Sequence, residues 1–134
     1  MSAATPRSWR LWLALGGLNG LVAVAAGAYG AHGFEGKEQI LKDAFTTGVQ
    51  YQMGHALALL AVAWLTARPA QAQWKTWVAH AAGFAFLAGI VLFAGTLYAF
   101  SLTGAIPVRG MAPTGGMLLM AGWATLTVAA FTSD

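Results

Sequence analysis

The sequence predicts an all-α membrane protein, a bundle of four transmembrane helices, and three observations carry that reading. Hydrophobic residues make up 58% of the 134 residues and charged residues only 8%, against about a quarter in an ordinary soluble domain. The few charges fall between long uncharged runs rather than within them. Each run is long enough to cross about 30 Å of hydrocarbon, which takes about 20 mostly apolar helical residues. A soluble chain of this size would need a polar shell, and seven basic with four acidic side chains cannot build one. One integral membrane domain over residues 1–134 is expected.

The charges place the elements. Arg7 and Arg10 precede an uncharged run from Leu11 to Gly33, and a cluster follows: Glu35, Lys37, Glu38, Lys42 and Asp43. The second run, Ala44 to Ala67, is closed by Arg68-Pro69. Lys75 precedes the third, Thr76 to Val108, and Arg109 the fourth, Gly110 to Ser133. Helices are expected at roughly 11–31, 46–66, 77–102 and 115–132. The second opens on polar residues (Thr46, Thr47, Gln50, Gln52), so its first turns should face other helices or the interface. The fourth should follow a flexible Ala112–Gly116 segment, with Pro113 before or at the helix start. The first run has basic residues before it and small residues near Ala26, as a cleavable secretory signal would. Its length, and its continuation into Gly30-Ala31-His32-Gly33, favour a retained helix.

Orientation rests on basic residues and aromatic belts. Four spans put both termini on the side of the 67–75 connection, with Arg7, Arg10, Arg68 and Lys75; Lys37, Lys42 and Arg109 lie opposite. Trp9, Trp12, Trp64, Trp74 and Trp77 all fall at the first interface. Cytoplasmic N- and C-termini are the expectation. Gly16, Gly20, Ala23, Gly27 and Gly30 recur at spacings of four and three, a stripe along one face of the first helix. In lipid, helices associate through such close approach. The stripe suits packing within the bundle, or a homodimer through the first helix.

Few side chains within the runs can do chemistry. Asn19 is a lone amide that needs a partner in hydrocarbon. Phe45, Gly48, Gln52, His55 and Leu59 share one helical face with Gln52 and His55 at its centre. A polar residue at such depth is a candidate site. A polar pocket between the first, second and fourth helices is expected, lined by Asn19, His32, Gln52, His55, Tyr98 and Arg109. His32, His55 and His80 lie at depths too different to share one metal, and no carboxylate within a span completes a set. No metal or cofactor is expected. With no cysteine, thiolate sites and disulfides are excluded. The net charge of +3 comes without a clustered basic face, which argues against nucleic acid. Serine-hydrolase and phosphate-loop signatures are missing, as is the intramembrane glutamate of small four-helix multidrug transporters.

Gly27-Ala28-Tyr29-Gly30-Ala31-His32-Gly33-Phe34 is similar to the Gly-Ala-Phe-Gly-Ala-His-Gly-Leu signature of the bacterial domain-of-unknown-function 423 family, related to the eukaryotic transmembrane protein 256. The stretch from Phe45 to Leu60 resembles that family's second helix, and Pro113-Thr114-Gly115-Gly116 with Gly122-Trp123 its last. Tyr29 and Phe34 replace Phe and Leu, and Gly54 stands where a larger residue is expected, loosening packing beside His55. The resemblance implies a small four-helix, multi-pass protein of the bacterial inner membrane, and brings no activity, substrate or catalytic residue with it. The functional expectation is a non-enzymatic accessory or assembly component of a larger membrane complex, or a homo-oligomer. The alternative is a small-molecule, lipid or ion binding or transport protein with a polar pocket around Gln52 and His55.

Overall fold

The computed structural model describes residues 7–68 and 73–131, with Gln73 and Trp74 described by their backbone alone. The Pro69 stop, the Trp74 side chain and the expected end of the last helix at 132 lie outside the described residues. Among the described residues four helices follow one another: α1 (Ser8–His32), α2 (Gln39–Ala67), α3 (Gln73–Thr103) and α4 (Met111–Phe131). Within the described residues α1, α3 from Lys75, and α4 are long and apolar enough to cross a membrane.

All four helices start ahead of the expected bounds, and two of these shifts change how a segment is read. α2 begins at Gln39, because a charge marks the edge of hydrocarbon and not the end of a helix. Gln39 Nε2 donates to Asp43 Oδ1 at 2.7 Å, a one-turn tie that supports the first turns. α4 begins at Met111, so the segment expected to be flexible is helical. Pro113 sits in the first turn, where its missing N–H is no loss, and Thr114 N–H closes the turn on Gly110 C=O at 3.0 Å. At the far end of α3, Gly104 at φ 73° donates its N–H to Phe100 C=O at 2.8 Å, a left-handed stop that a side chain would resist.

Each helix packs against its neighbours in sequence. On the α1 stripe, Gly16 faces Ala56 and Leu60, Gly27 faces Val49, and Gly30 faces the Phe45 ring; Ala23 is fully buried. The stripe is therefore spent mostly on α2, running antiparallel along most of its length. Gly20 is the exception, since a Cβ added there would meet nothing within 4 Å. α3 and α4 meet still more closely: a Cβ on Gly115 would lie 2.5 Å from the Phe93 backbone nitrogen.

The core is built from Trp12, Leu59, Val62, Ala82, Phe86, Ile90, Ala94 and Leu119, drawn from all four helices. Trp12, expected in the interfacial belt, is 1% exposed. Its ring fills the space left by Gly83 on α3. Trp64 and Trp77 are exposed, and the Arg68 guanidinium lies over the Trp64 ring at 4.7 Å. The exterior is apolar, with Leu18, Leu21, Val24, Phe84, Val91, Met117 and Met120 all largely exposed. Several hydroxyls are closed within their own helices, as Thr66 is on Val62 C=O and Ser101 on Leu97 C=O.

Candidate functional site

The polar centre of the molecule is built on α2. Phe45, Gly48, Gln52, His55 and Leu59, one helical face by spacing, are all buried. Gly48 sets the geometry, since a Cβ there would lie 2.9 Å from the Tyr98 ring. The missing side chain lets Tyr98 of α3 lie against α2 and reach Gln52 one turn on. The Tyr98 hydroxyl donates to Gln52 Oε1 at 2.7 Å. Gln52 Nε2 donates to Asn19 Oδ1 of α1 at 3.1 Å, and Asn19 Nδ2 donates to Leu15 C=O at 2.9 Å. This chain runs through three helices and fixes both amide orientations, because each oxygen accepts and each nitrogen donates.

His55 is three residues on from Gln52, about 60° around the helix, and therefore faces α4. Trp123 Nε1–H donates to His55 Nε2 at 3.0 Å. An indole nitrogen can only donate, so Nε2 carries the lone pair. The hydrogen is then on Nδ1, which donates to Tyr51 C=O at 2.7 Å. Around the imidazole stand the rings of Tyr51, Phe86 and Trp123. A cleft of about 320 Å³ opens beside them, lined by Tyr51, His55, Phe93, Gly116, Met117 and Trp123 among others. A second tryptophan–histidine pair joins α1 to α3: Trp12 Nε1–H donates to His80 Nδ1 at 2.8 Å. The same logic puts the His80 hydrogen on Nε2.

Of the six expected pocket residues, the structure brings Asn19, Gln52 and Tyr98 into one chain, between the first, second and third helices rather than the first, second and fourth. His55 alone turns toward the fourth. His32 is exposed at the end of α1. Arg109 is exposed in the α3–α4 connection and lines a different groove. Gly54 is exposed, and a Cβ there would meet nothing within 4 Å, so its small size does not loosen packing beside His55. Trp123, Trp12 and His80 are polar partners that helical spacing does not single out. A signal for them existed: a buried indole N–H needs an acceptor, and neutral histidines are among the few acceptors these runs offer.

The family described as "Protein of unknown function (DUF423)" matches residues 26–116, from the glycine-rich end of α1 to the opening turns of α4. The chain belongs to the DUF423 family. It is 41% identical over 84 residues to the UPF0382 membrane protein YwdK of Bacillus subtilis, covering 63% of this chain and 65% of that one. A UPF0382 membrane protein of Haemophilus influenzae is 36% identical over 90 residues, 65% of each chain. The UPF0382 inner membrane protein YgdD of Escherichia coli is 38% identical over 85 residues, 63% of this chain and 60% of that one. The chain thus spans a little under two thirds of the length of these relatives. No solved structure matches.

This DUF423 chain is a helical membrane protein, and its signature has a structural reading. Gly30 admits the Phe45 ring, and Gly33 N–H caps Tyr29 C=O at 2.7 Å. Phe34 is buried against Tyr29 and Phe45, with ring centroids 5.9 and 4.8 Å away. Phe45 continues to Tyr98 at 5.0 Å. The motif seats the end of α1 on α2 and leads into the Gln52 chain. Gln52, His55 and Tyr98 lie inside the DUF423 match, whereas their partners Asn19 and Trp123 lie outside it.

Proposed function

We propose that this chain is a four-span, non-catalytic protein of the bacterial inner membrane, with both termini cytoplasmic. It acts through association, as an accessory or assembly component or as its own oligomer. The observation that carries this reading is the fate of the intramembrane polar groups. Asn19, Gln52, His55, His80 and Tyr98 are all hydrogen-bonded to other groups of the chain. A general base needs a substrate proton or nucleophile within reach, and these side chains are held against each other instead. Such interhelical bonds are what a bilayer favours as fastening.

The fourth span is supported by α2's own packing. It has 29 residues, about 43 Å at 1.5 Å per residue, and it lies antiparallel along α1 from Phe45 opposite Gly30 to Leu60 opposite Gly16. A helix paired with a spanning helix over that length spans with it. Its lower hydropathy follows from facing protein on its polar side. The inner-membrane placement is supported by the name of the Escherichia coli relative.

The test is purification in mild detergent followed by native mass spectrometry and crosslinking in membranes. Association predicts a defined oligomer or a stoichiometric partner; a strict monomer with neither refutes it. A second reading, a small-molecule or ion pocket around Gln52 and His55, is favoured by the cleft beside His55. It predicts that His55→Ala and Met117→Trp, which fills the cleft, both abolish binding or flux of the same solute.

A further inference from the structure

Among the described side-chain amides, Asn19, Gln39 and Gln52 are closed within the chain, and Gln50 is not. Gln50 is exposed and makes no side-chain hydrogen bond among the described residues. Thr46 and Thr47, one turn earlier on the same side of α2, make none either. By contrast Thr66, Thr96, Thr103, Thr125 and Thr127 each close on a carbonyl one turn back. The depth of Gln50 follows from its neighbour. Val49 packs on Gly27, six residues inside the end of the first uncharged run at Gly33, roughly 10 Å along the helix. An amide that faces acyl chains at that depth leaves its donors and acceptor unmet, which hydrocarbon penalises.

Gln50 stands on a seam. Thr47, Gln50, Gly54, Leu57, Ala61 and Trp64 recur at spacings of three and four, on the side of α2 opposite the buried Phe45, Gln52 and Leu59. Thr47 is half-buried and the others are exposed; a Cβ on Gly54 would meet nothing within 4 Å. We infer that this seam is the interface between two copies of the chain, with each Gln50 amide hydrogen-bonded to its counterpart. The interface rests on the association and four-span topology proposed above, and gives them a surface and a partner. The chemistry of the amide carries the choice of partner. One side chain holds both an acceptor oxygen and a donor nitrogen, so two copies can each donate to the other. Copies inserted in one orientation pair about a two-fold axis along the membrane normal, which sets each seam residue opposite its own counterpart. Such an axis calls for self-complementary side chains, and an acyl chain offers neither donor nor acceptor. Spacing of three and four is that of helices paired in a left-handed coil, where a single polar residue fixes register and strand number. Gly54, one turn on, lets the two backbones approach until the amides meet. From Thr47 to Trp64 the seam runs about 25 Å, most of the hydrocarbon thickness.

The test uses the full chain in membranes. Because it has no cysteine, single replacements can be oxidised in place. Leu57→Cys and Ala61→Cys should form disulfide-linked dimers, whereas Leu21→Cys on α1 and Met120→Cys on α4, comparably exposed, should not. Energy transfer between labelled copies in bilayers should show dimerisation weakened on the order of tenfold in Gln50→Leu, the scale of a pair of interhelical hydrogen bonds. Gly54→Leu should weaken it as well by holding the backbones apart. Unfolding in sodium dodecyl sulfate separates loss of the interface from loss of the fold. Equal crosslinking at Leu57 and Leu21, or an oligomer that folded Gln50→Leu and Gly54→Leu both leave intact, would overturn this interface and leave association standing. So would a monomer held stoichiometrically by a different protein. A strict monomer with no partner refutes both the interface and the association.

Discussion

Two adjacent glycines at the start of α4 should respond to the same substitution with opposite sign. A Cβ on Gly115 would lie 2.5 Å from Phe93 N and 2.9 Å from Leu92 C, both backbone atoms of α3. No rotamer change can move them. To regain ordinary contact at 3.4 Å or more, α3 and α4 must separate locally by about 0.9 Å, and Leu119, which packs on Gly89 across the same crossing, must follow. Overpacking of this kind costs about 1–3 kcal/mol. On Gly116 the added Cβ would meet only the edge of the Phe93 ring, at 3.8 Å. There the gain in helix propensity, up to about 1 kcal/mol, is unopposed. Gly115→Ala should therefore be less stable than wild type by up to about 2 kcal/mol after that same gain is allowed for, and Gly116→Ala equal to wild type or more stable. Unfolding by sodium dodecyl sulfate in mixed micelles, followed by tryptophan fluorescence, measures both. Equal stability of the two variants, or the reverse order, refutes the close α3–α4 crossing.

Three further outcomes follow from the polar ties and the proposed topology. Interhelical hydrogen bonds in a bilayer average about 0.6 kcal/mol and reach about 1.7. A cycle of Gln52→Leu and Tyr98→Phe should show coupling in that range, and strict additivity would deny the 2.7 Å bond an energetic role. Nitrogen-15 NMR in lipid should find the hydrogen of His55 on Nδ1 and that of His80 on Nε2. Trp123→Phe should perturb only the first and Trp12→Phe only the second; a shared tautomer contradicts the two indole bonds. Because the chain has no cysteine, single replacements report topology cleanly. Lys37→Cys and Arg109→Cys should label from one side of the membrane and Arg68→Cys from the other, whereas labelling of Lys37 and Arg68 from one side would remove α2 as a span.

The helices are legible in the sequence because charge and hydropathy are local properties. So is the buried face of α2, since Gly48, Gln52 and His55 are set by a spacing of four and three. The start of α2 lies seven residues ahead of the expected position because Lys42 and Asp43 stand within the helix, and a charge does not end one. The glycines after Pro113 suggest a flexible lead-in, yet α4 already runs from Met111 with the proline in its first turn. The partners are not legible. Tyr98 lies 46 residues from Gln52, and Trp123 lies 68 residues from His55. Nothing in spacing chooses among the donors of another helix, and that choice follows from the glycines that set how closely each pair approaches. Arg109 belongs to the expected pocket only as a charge near a span. The folded chain leaves it exposed in the α3–α4 connection instead.

The two indole bonds each skip a helix, from α1 to α3 and from α2 to α4. Each half of the chain is a hairpin, and each hairpin supplies one donor and one acceptor to the other. The reciprocity bears on biogenesis. In the proposed four-span topology, a first hairpin alone in the bilayer would leave the Trp12 N–H without its acceptor and the His55 Nε2 without its donor. Docking of the second hairpin would satisfy both, so each half is completed only by the other.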